Sequence, residues 1–292
     1  MSGPGLAAGS GTIPSGMLDS SHQPIAVFDS GVGGLTVLHE LLVSLPHEDF
    51  VYLGDTARFP YGSREPEELR GFAREIADRL LDGGAKLIVV ACNSATAAAL
   101  ETLQERLEGV LDVVGVIAPE SQLAVEATHN GRIGLLATPT TVRSGAYARA
   151  VAAADPHVEL TSVPCPDLAP IIQGGFPFDQ RVVDTVRSYC APLREADVDT
   201  VILGCTHYPL VAPMLQRTLG RGVHLVSSGA AAARRVEHAL GARGLGSDRA
   251  GEGDYRFECT GDVEAFRALG TRFLQMPLGD VAHVELGVGA PT

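Results

Sequence analysis

The chain has 292 residues, 45% of them hydrophobic, and a formal net charge of −13 at pH 7. This length corresponds to about two domains with room for sizeable hydrophobic cores. The acidic balance argues against nucleic acid as a partner, because phosphate contacts need clustered Lys and Arg, and no apolar run approaches the roughly 18 residues of a membrane span.

The chain begins with a stretch rich in Gly, Ser and Pro. It lacks both the basic start and the apolar core of a signal peptide. We therefore expect residues 1–22 to be a disordered tail of a cytoplasmic protein, with ordered structure from about Pro24.

Short apolar runs alternate with helical leucine spacing through the first half of the chain. We predict strands at 25–28, 50–53, 87–91 and 113–117, and helices at 35–45, at 66 to about 82, and from the residues after Cys92 to about 107. This alternation is typical of a parallel sheet covered on both faces.

A second cycle of the same kind starts at Arg132. Strands are predicted at 133–137, 158–163 and 200–204, with helices around 144–153 and 180–194. Asp29 precedes Cys92 by 63 residues, and Thr138 precedes Cys205 by 67. The shared period favours internal duplication, although two generic α/β units could coincide.

The remaining chain should return to the first half. After Pro209 we predict a helix, a strand at 224–227, a helix from about 230, a strand at 256–260, a helix from 262 and a strand at 281–286. We expect two similar doubly wound, mainly parallel-sheet α/β domains related by pseudo-duplication, with the active site in the cleft between them. Their expected boundaries are 23–118 plus 225–292 for the first domain and 119–224 for the second.

Polar side chains follow several of these strands. In open parallel sheets the ligand lies beyond the carboxyl ends of the strands, and helix N-termini there bind anions and lower thiol pKa values. The strand ends offer Asp29-Ser30, Asp55-Thr56, Cys92-Asn93-Ser94, Thr138 and Cys205-Thr206-His207. An anionic small molecule is the ligand that this set predicts.

Cys92 and Cys205 occupy matched strand ends. Two thiols facing each other across a cleft suit inversion at carbon, with one removing a proton while the other donates one. Asp29 and His207 are candidate helpers of the two thiols. Each cysteine could instead be a small buried hydrophobe, and that is the preferred interpretation for the other three, Cys165, Cys190 and Cys259.

Several other residues have a simpler interpretation than catalysis. The cysteines are odd in number, widely spaced and without a CxxC pair, which fits neither a disulfide framework nor a zinc site. Lys86, the only lysine, lies at the entrance of a strand; we expect a solvated loop charge and no pyridoxal phosphate. We expect Asp55 to be a turn or helix cap.

Four motifs in order resemble the cofactor-independent glutamate racemases of the aspartate/glutamate racemase family. They are Val27-Phe28-Asp29-Ser30-Gly31-Val32-Gly33-Gly34-Leu35-Thr36; Gly54-Asp55-Thr56 with Pro60-Tyr61-Gly62; Ala91-Cys92-Asn93-Ser94-Ala95-Thr96; and Leu203-Gly204-Cys205-Thr206-His207-Tyr208-Pro209. The resemblance covers the chain from about Pro24 to Leu274. It implies two α/β domains that close over glutamate and make D-glutamate for peptidoglycan, without a cofactor or metal.

The resemblance also implies roles for particular residues. Cys92 and Cys205 would be the acid/base pair, assisted by Asp29 and His207. The glutamate site would be lined by Asp29, Ser30, Tyr61, Gly62, Asn93, Ser94, Thr138, Thr141, Thr206 and His207. One departure concerns the segment Cys165–Gly175, where Gln173 stands in place of the family's usual Glu. An amide cannot exchange a proton at neutral pH, so one direction of catalysis is expected to be slower.

Three rivals to glutamate racemisation follow from the same residues. A sister racemase would act on aspartate, and a regulatory amino-acid-binding protein would use the fold without chemistry, although binding alone needs neither thiol. A phosphatase with Asp29 as nucleophile lacks its second Asp, because residue 31 is Gly. The oligomeric state is left open, with a homodimer as one candidate.

Overall fold

A computed structural model describes residues 20–175 and 179–287 of the chain. The described strands form two parallel sheets. The strands are β1 (Ile25–Asp29), β2 (Phe50–Gly54), β3 (Leu87–Val90), β4 (Asp112–Gly115), β5 (Arg132–Ala137), β6 (Glu159–Pro164), β7 (Thr200–Gly204), β8 (His224–Val226), β9 (Tyr255–Cys259) and β10 (Val281–His283).

The two sheets repeat one topology. The first has the order β10-β9-β2-β1-β3-β4 and the second the order β6-β5-β7-β8, with parallel pairing throughout. Four strands of the first sheet, β2-β1-β3-β4, therefore match the whole second sheet in both order and direction. The predicted α/β fold with duplicated parallel sheets is confirmed.

Helices cover both sheets, as the crossover connections of parallel strands require. They are α1 (Leu35–Ser44), α2 (Pro66–Asp82), α3 (Asn93–Arg106), α4 (Ile117–Ala127), α5 (Pro139–Ser144), α6 (Ala146–Ala154), α7 (Leu168–Gln173), α8 (Gln180–Glu195), α9 (Ala212–Leu219), α10 (Ser228–Arg243) and α11 (Val263–Leu274). Across the described ranges, no helix has the length and hydrophobicity needed to cross a membrane.

The hydrophobic core joins the two halves. Successive residues of β1 point to opposite faces, so that Ile25 and Val27 enter one apolar cluster while Ala26 and Phe28 enter another. The first of these clusters also contains Val201 and Leu203 of β7. One continuous apolar cluster therefore contains residues of both sheets.

Three parts of the fold differ from the sequence prediction. Ile117 begins helix α4 instead of ending a strand, because the apolar run from Val113 continues into the helix without a break. Helices α5 and α7 were not predicted, since each has only six residues and contains a proline. Residues 1–19 of the expected tail lie outside the described residues, and Ser20–His22 form a short 3-10 helix.

The prediction that Lys86 is a solvated charge is wrong. Lys86 is only 4% exposed, and its Nζ lies 2.5 Å from Oε2 of Glu48. The same ammonium donates to the carbonyls of Ser21 and Leu245. Lys86 therefore ties the start of β3 to three distant segments, which a local sequence pattern does not reveal.

Candidate active site

A cleft lies between the carboxyl ends of the strands of the two sheets. Cys92 follows β3 of the first sheet and Cys205 follows β7 of the second, and both line the cleft. Most of the predicted site residues line it as well: Ser30, Tyr61, Gly62, Cys92, Asn93, Ser94, Thr138, Cys205, Thr206 and His207. Asp29 and Thr141 lie behind this lining and bond to residues within it.

Cys92 is the N-cap residue of α3 and is 5% exposed. Burial raises the pKa of its thiol to about 12, and the nearby Asp29 carboxylate acts in the same direction. Hydrogen bonds from the backbone of Ala95 and from Ser30 oppose that rise, because they stabilise the thiolate. The resting thiol is therefore neutral, with donors already placed for its anion.

Asp29 ends β1 and is fully buried. Its Oδ1 accepts from the backbone of Gly31 at 2.9 Å, and its Oδ2 accepts from the Thr206 hydroxyl at 3.1 Å. Burial raises the pKa of Asp29 to about 6, against the lowering effect of these hydrogen bonds. A carboxyl with this pKa beside a thiol can exchange protons near neutral pH.

Cys205 is paired with an imidazole. Nδ1 of His207 lies 3.9 Å from Sγ of Cys205, and both residues are buried. Burial raises the pKa of the Cys205 thiol well above its usual range and lowers the pKa of His207 to about 3. Thiol and imidazole are therefore both neutral at rest.

A cluster of hydroxyl groups bridges the two halves beside the thiols. Oγ of Ser94 lies 2.9 Å from Oγ1 of Thr138 and 3.2 Å from Oγ1 of Thr141. Ser94 is in α3 and Thr138 is the N-cap of α5, so two helix starts meet here. The three hydroxyls hydrogen-bond to one another in the ligand-free protein, and they are placed to donate to a bound anion.

A buried carboxyl that the sequence pattern does not reveal lies behind Asn93. Oε2 of Glu120 accepts from the Tyr147 hydroxyl at 2.5 Å, and Nδ2 of Asn93 donates to that hydroxyl oxygen at 2.7 Å. Burial raises the pKa of Glu120 well above its usual range. Among the described residues, Glu120 Oε1 and Asn93 Oδ1 have no hydrogen-bond partner. Glu120 escaped prediction because it lies on α4, the helix that the sequence pattern did not reveal.

The interpretation of Asp55 as a cap is wrong. It precedes a 3-10 turn, but its side chain makes no capping bond there. The buried carboxylate instead accepts from the Tyr61 hydroxyl, from Nε of Arg58 at 2.6 Å and from the Thr260 hydroxyl at 2.8 Å. Asp55 thereby fixes Tyr61, which lines the cleft.

Gly33 lets the second half approach the first. A Cβ at this position would lie 2.3 Å from Oγ1 of Thr206 and 2.5 Å from Nδ1 of His207. Gly62 plays a similar part, because its Cβ would lie 2.7 Å from Cβ of Thr138. The absence of side chains at these two positions permits the close contact of the two halves at the cleft.

Thiols, carboxyls and an imidazole in one cleft raise the question of a metal. No group of three or more His, Cys, Asp or Glu side chains within the described ranges is arranged to hold a metal ion. The arrangement that the site does provide is two thiols from different sheets, each next to a second proton-exchanging group. Such an arrangement can move protons to and from carbon.

The fold and these motifs define a racemase of the two-thiol type. The chain belongs to the Asp/Glu/hydantoin racemase family, whose model matches residues 37–236.

Similar proteins within this family are glutamate racemases. The chain is 44% identical over 264 residues to the glutamate racemase of Geobacter metallireducens, covering 90% of this chain and 97% of that protein. The structure of a glutamate racemase isoform from Bacillus anthracis has a TM-score of 0.87 at 37% identity, covering 91% of this chain and 98% of that one. The Francisella tularensis glutamate racemase, solved in complex with D-glutamate, has a TM-score of 0.84 at 33% identity, with the same coverage.

Proposed function

We propose that the protein is a cofactor-independent glutamate racemase that interconverts L- and D-glutamate. The observation that carries this proposal is the cleft shared by Cys92 and Cys205, each delivered by the corresponding strand of one of two matching sheets. In this function one thiolate removes the α-proton and the opposite thiol protonates the other face of the carbanion. The D-glutamate formed would supply peptidoglycan synthesis in the cytoplasm.

Substrate binding helps to generate the thiolate. Both thiols are neutral in the ligand-free protein because burial raises their pKa values. The ammonium group of a bound amino acid brings positive charge close to the thiols and favours their ionised form. In each direction only the thiol that acts as the base loses its proton, to Asp29 when that thiol is Cys92 and to His207 when it is Cys205.

The glutamate carboxylates are assigned to the polar groups at the two helix starts. Asn93 and Ser94 begin α3, while Thr138 is the N-cap of α5 and Thr141 lies in the first turn of that helix. The backbone N–H groups and hydroxyls of these positions suit an anion. Ser30, Tyr61, Gly62 and Thr206 complete the proposed substrate site.

The two sheets support a division into domains at about the expected boundaries, 23–118 plus 225–292 and 119–224. Strands β9 and β10 join the first sheet, which is consistent with the return of the chain to the first domain. Strand β8 includes residue 225 and pairs with β7, which supports a second boundary a few residues further along. A homodimer is proposed as the assembly and is tested by sedimentation.

The decisive test is proton exchange at the substrate α-carbon in heavy water. Cys92→Ala and Cys205→Ala should each reduce racemisation by about 10²- to 10⁴-fold, the usual contribution of an acid/base group. Each variant should keep exchange from one enantiomer, and the two variants should keep it from opposite enantiomers. Cys190→Ala, a buried thiol in α8, is the matched control and should racemise normally.

Exchange that survives from both enantiomers in either variant would contradict the two-thiol reaction. The substrate assignment is tested separately by steady-state rates on L-glutamate and L-aspartate. A clear preference for aspartate would overturn it in favour of the sister racemase. Binding without turnover of either amino acid would favour the regulatory alternative.

A further inference from the structure

His207 has two different partners on its two ring nitrogens. Nε2 lies 2.8 Å from Oε1 of Gln173, at the end of α7, and Nδ1 faces Sγ of Cys205 at 3.9 Å. A carbonyl oxygen only accepts hydrogen bonds, so the contact with Gln173 requires a proton on Nε2. A neutral imidazole carries a single proton, which leaves a lone pair on Nδ1 beside the thiol.

We infer that Gln173 is a positioning residue that selects the Nε2–H tautomer of His207 and so makes His207 the proton acceptor for Cys205. This inference rests on the proposed racemase function. It assigns a role to the residue at which this sequence departs from its family. The family's usual Glu would act through charge, whereas Gln acts through the direction of a neutral hydrogen bond.

The surroundings of His207 favour a neutral ring. Its ring centroid lies 5.6 Å from that of Phe59 and 5.2 Å from that of Phe273, and neither neighbour can titrate. The titratable groups nearby are Cys205, in contact, and Asp29, which bonds the adjacent Thr206. Burial lowers the pKa of His207 to about 3. A carboxylate at position 173 would accept the same Nε2–H bond but would also raise the pKa of His207 by stabilising its imidazolium, whereas the neutral amide fixes the tautomer without adding charge.

The proton transfers balance within the site. When Cys205 acts as the base, its S–H bond breaks and an N–H bond forms on Nδ1 of His207, giving a thiolate and an imidazolium. The thiolate takes the α-proton of the substrate, and Cys92 donates its own S–H proton to the opposite face of the carbanion. After product release, the imidazolium returns its proton to solvent and the Cys92 thiolate takes one up.

The equal free energies of substrate and product limit how Gln173 can change the rate constants of racemisation. Enantiomers have equal free energies in water, so kcat/KM must be equal in the two directions for any variant. The effect of Gln173 on one direction therefore appears in the individual kcat and KM values. The tautomer itself is best observed without turnover.

The test is nitrogen NMR of the full-length protein labelled with ¹⁵N-histidine, with His207 assigned by its loss in His207→Asn. In the wild type, His207 should remain neutral with its proton on Nε2 from pH 5 to 8. Gln173→Met removes the acceptor, and a population of the Nδ1–H tautomer should appear. Gln173→Glu should raise the pKa of His207 and shift the acid limb of the kcat/KM profile by about one pH unit or more.

Gln122→Glu is the matched control, because it adds the same charge at an exposed position of α4. It should leave both the His207 spectrum and the pH profile unchanged. A wild-type ring protonated on Nδ1, or a Gln173→Met spectrum that keeps the Nε2–H tautomer in full, overturns the inference. If the variants fail to fold, the wild-type spectrum alone decides. An inactive protein with the expected tautomer would instead contradict the proposed function.

Discussion

Asp29 illustrates how a residue can favour chemistry at the expense of stability. It is fully buried, and its pKa is raised from 3.8 to about 6. Between these pH values the folded state binds more protons than the unfolded state, so the free energy of unfolding falls as the pH rises. The cost is fully present above about pH 6 and amounts to about 3 kcal/mol for a shift of this size.

Asp29→Asn should therefore increase stability while it reduces activity. We expect kcat/KM to fall by about 10²-fold, because the Cys92 thiol loses its proton acceptor. The free energy of unfolding should rise by about 1–3 kcal/mol at pH 8 relative to the wild type, and by less at pH 4. Urea unfolding at the two pH values measures this difference. An equal effect at both would contradict the raised pKa.

Glu120 is a second buried carboxyl, and burial outweighs the hydrogen bonds from Tyr147 and Asn93 that favour its ionised form. Burial raises the pKa of Glu120 well above its usual range. Glu120→Gln should consequently change stability by less than about 1 kcal/mol at pH 7. Glu120→Leu leaves the Tyr147 hydroxyl without its acceptor and should cost about 1–3 kcal/mol.

Urea unfolding of the two Glu120 variants measures these changes, with Gln122→Leu as the control variant. Gln122 is exposed on the same helix, and its substitution should stay within about 0.5 kcal/mol of the wild type. If Glu120→Gln were as destabilising as Glu120→Leu, the carboxyl would be ionised in the folded protein.

At the scale of elements, the strands were predictable and three helices, α4, α5 and α7, were not. β3 and β7 are short apolar runs rich in β-branched residues, and a cysteine follows each within two residues, so the local pattern alone places Cys92 and Cys205 at the sheet edge. Helix α4 continues an apolar run from β4 without a turn residue between them, and α7 has six residues. A local pattern carries little information about such short or merged elements.

The contacts that the sequence did not reveal join residues far apart in the chain. Asp55 bonds Thr260, 205 residues away, and Lys86 bonds Leu245, 159 residues away. The positions of the two thiols could be predicted from the local sequence pattern. The groups that support Tyr61 and Asn93 could be identified only from the tertiary fold. The simpler interpretations of Asp55 and Lys86 failed for this reason.

The loop between β1 and α1 provides a test at the same scale. Gly33→Ala places a methyl group inside contact distance of Thr206 and His207, so the loop or the second half must shift. We expect stability to fall by about 1–3 kcal/mol and kcat/KM by about 10²-fold, since misplacement of about 1 Å is enough for such a loss.

Gly71→Ala is the control for this substitution. Gly71 lies within α2, and a Cβ there meets no atom within 4 Å among the described residues. Alanine should stabilise that helix by roughly 0.5–1 kcal/mol and leave activity unchanged. Urea unfolding and steady-state kinetics separate the two glycines. Equal effects would contradict the role of Gly33 in closing the cleft.

At the scale of the whole molecule, the two halves are closed on each other. Ser94 bonds Thr138, Thr206 bonds Asp29, and Thr36 donates to the carbonyl of Thr206 at 3.1 Å. Cys92 and Cys205 are both less than 8% exposed. Glutamate therefore needs a more open state to enter, and these hydrogen bonds must exchange partners when it does.

Alkylation by iodoacetamide should report this opening. Cys92 and Cys205 should react slowly in the native protein, and glutamate should slow them further, by about 100-fold at 100 times its Kd. Cys190, which lies in the core, should react only after urea unfolding. Mass spectrometry of the modified peptides identifies the site. Rapid labelling of both thiols that glutamate does not slow would contradict the closed cleft.

The buried ammonium group of Lys86, at the start of β3, has a practical consequence. Since the chain has a single lysine, the surface of the native molecule presents no lysine amine to acylating reagents. Crosslinking or dye coupling through lysine will therefore fail on folded protein. Any acylation of this lysine that does occur measures how often the amino-terminal end of the sheet comes apart.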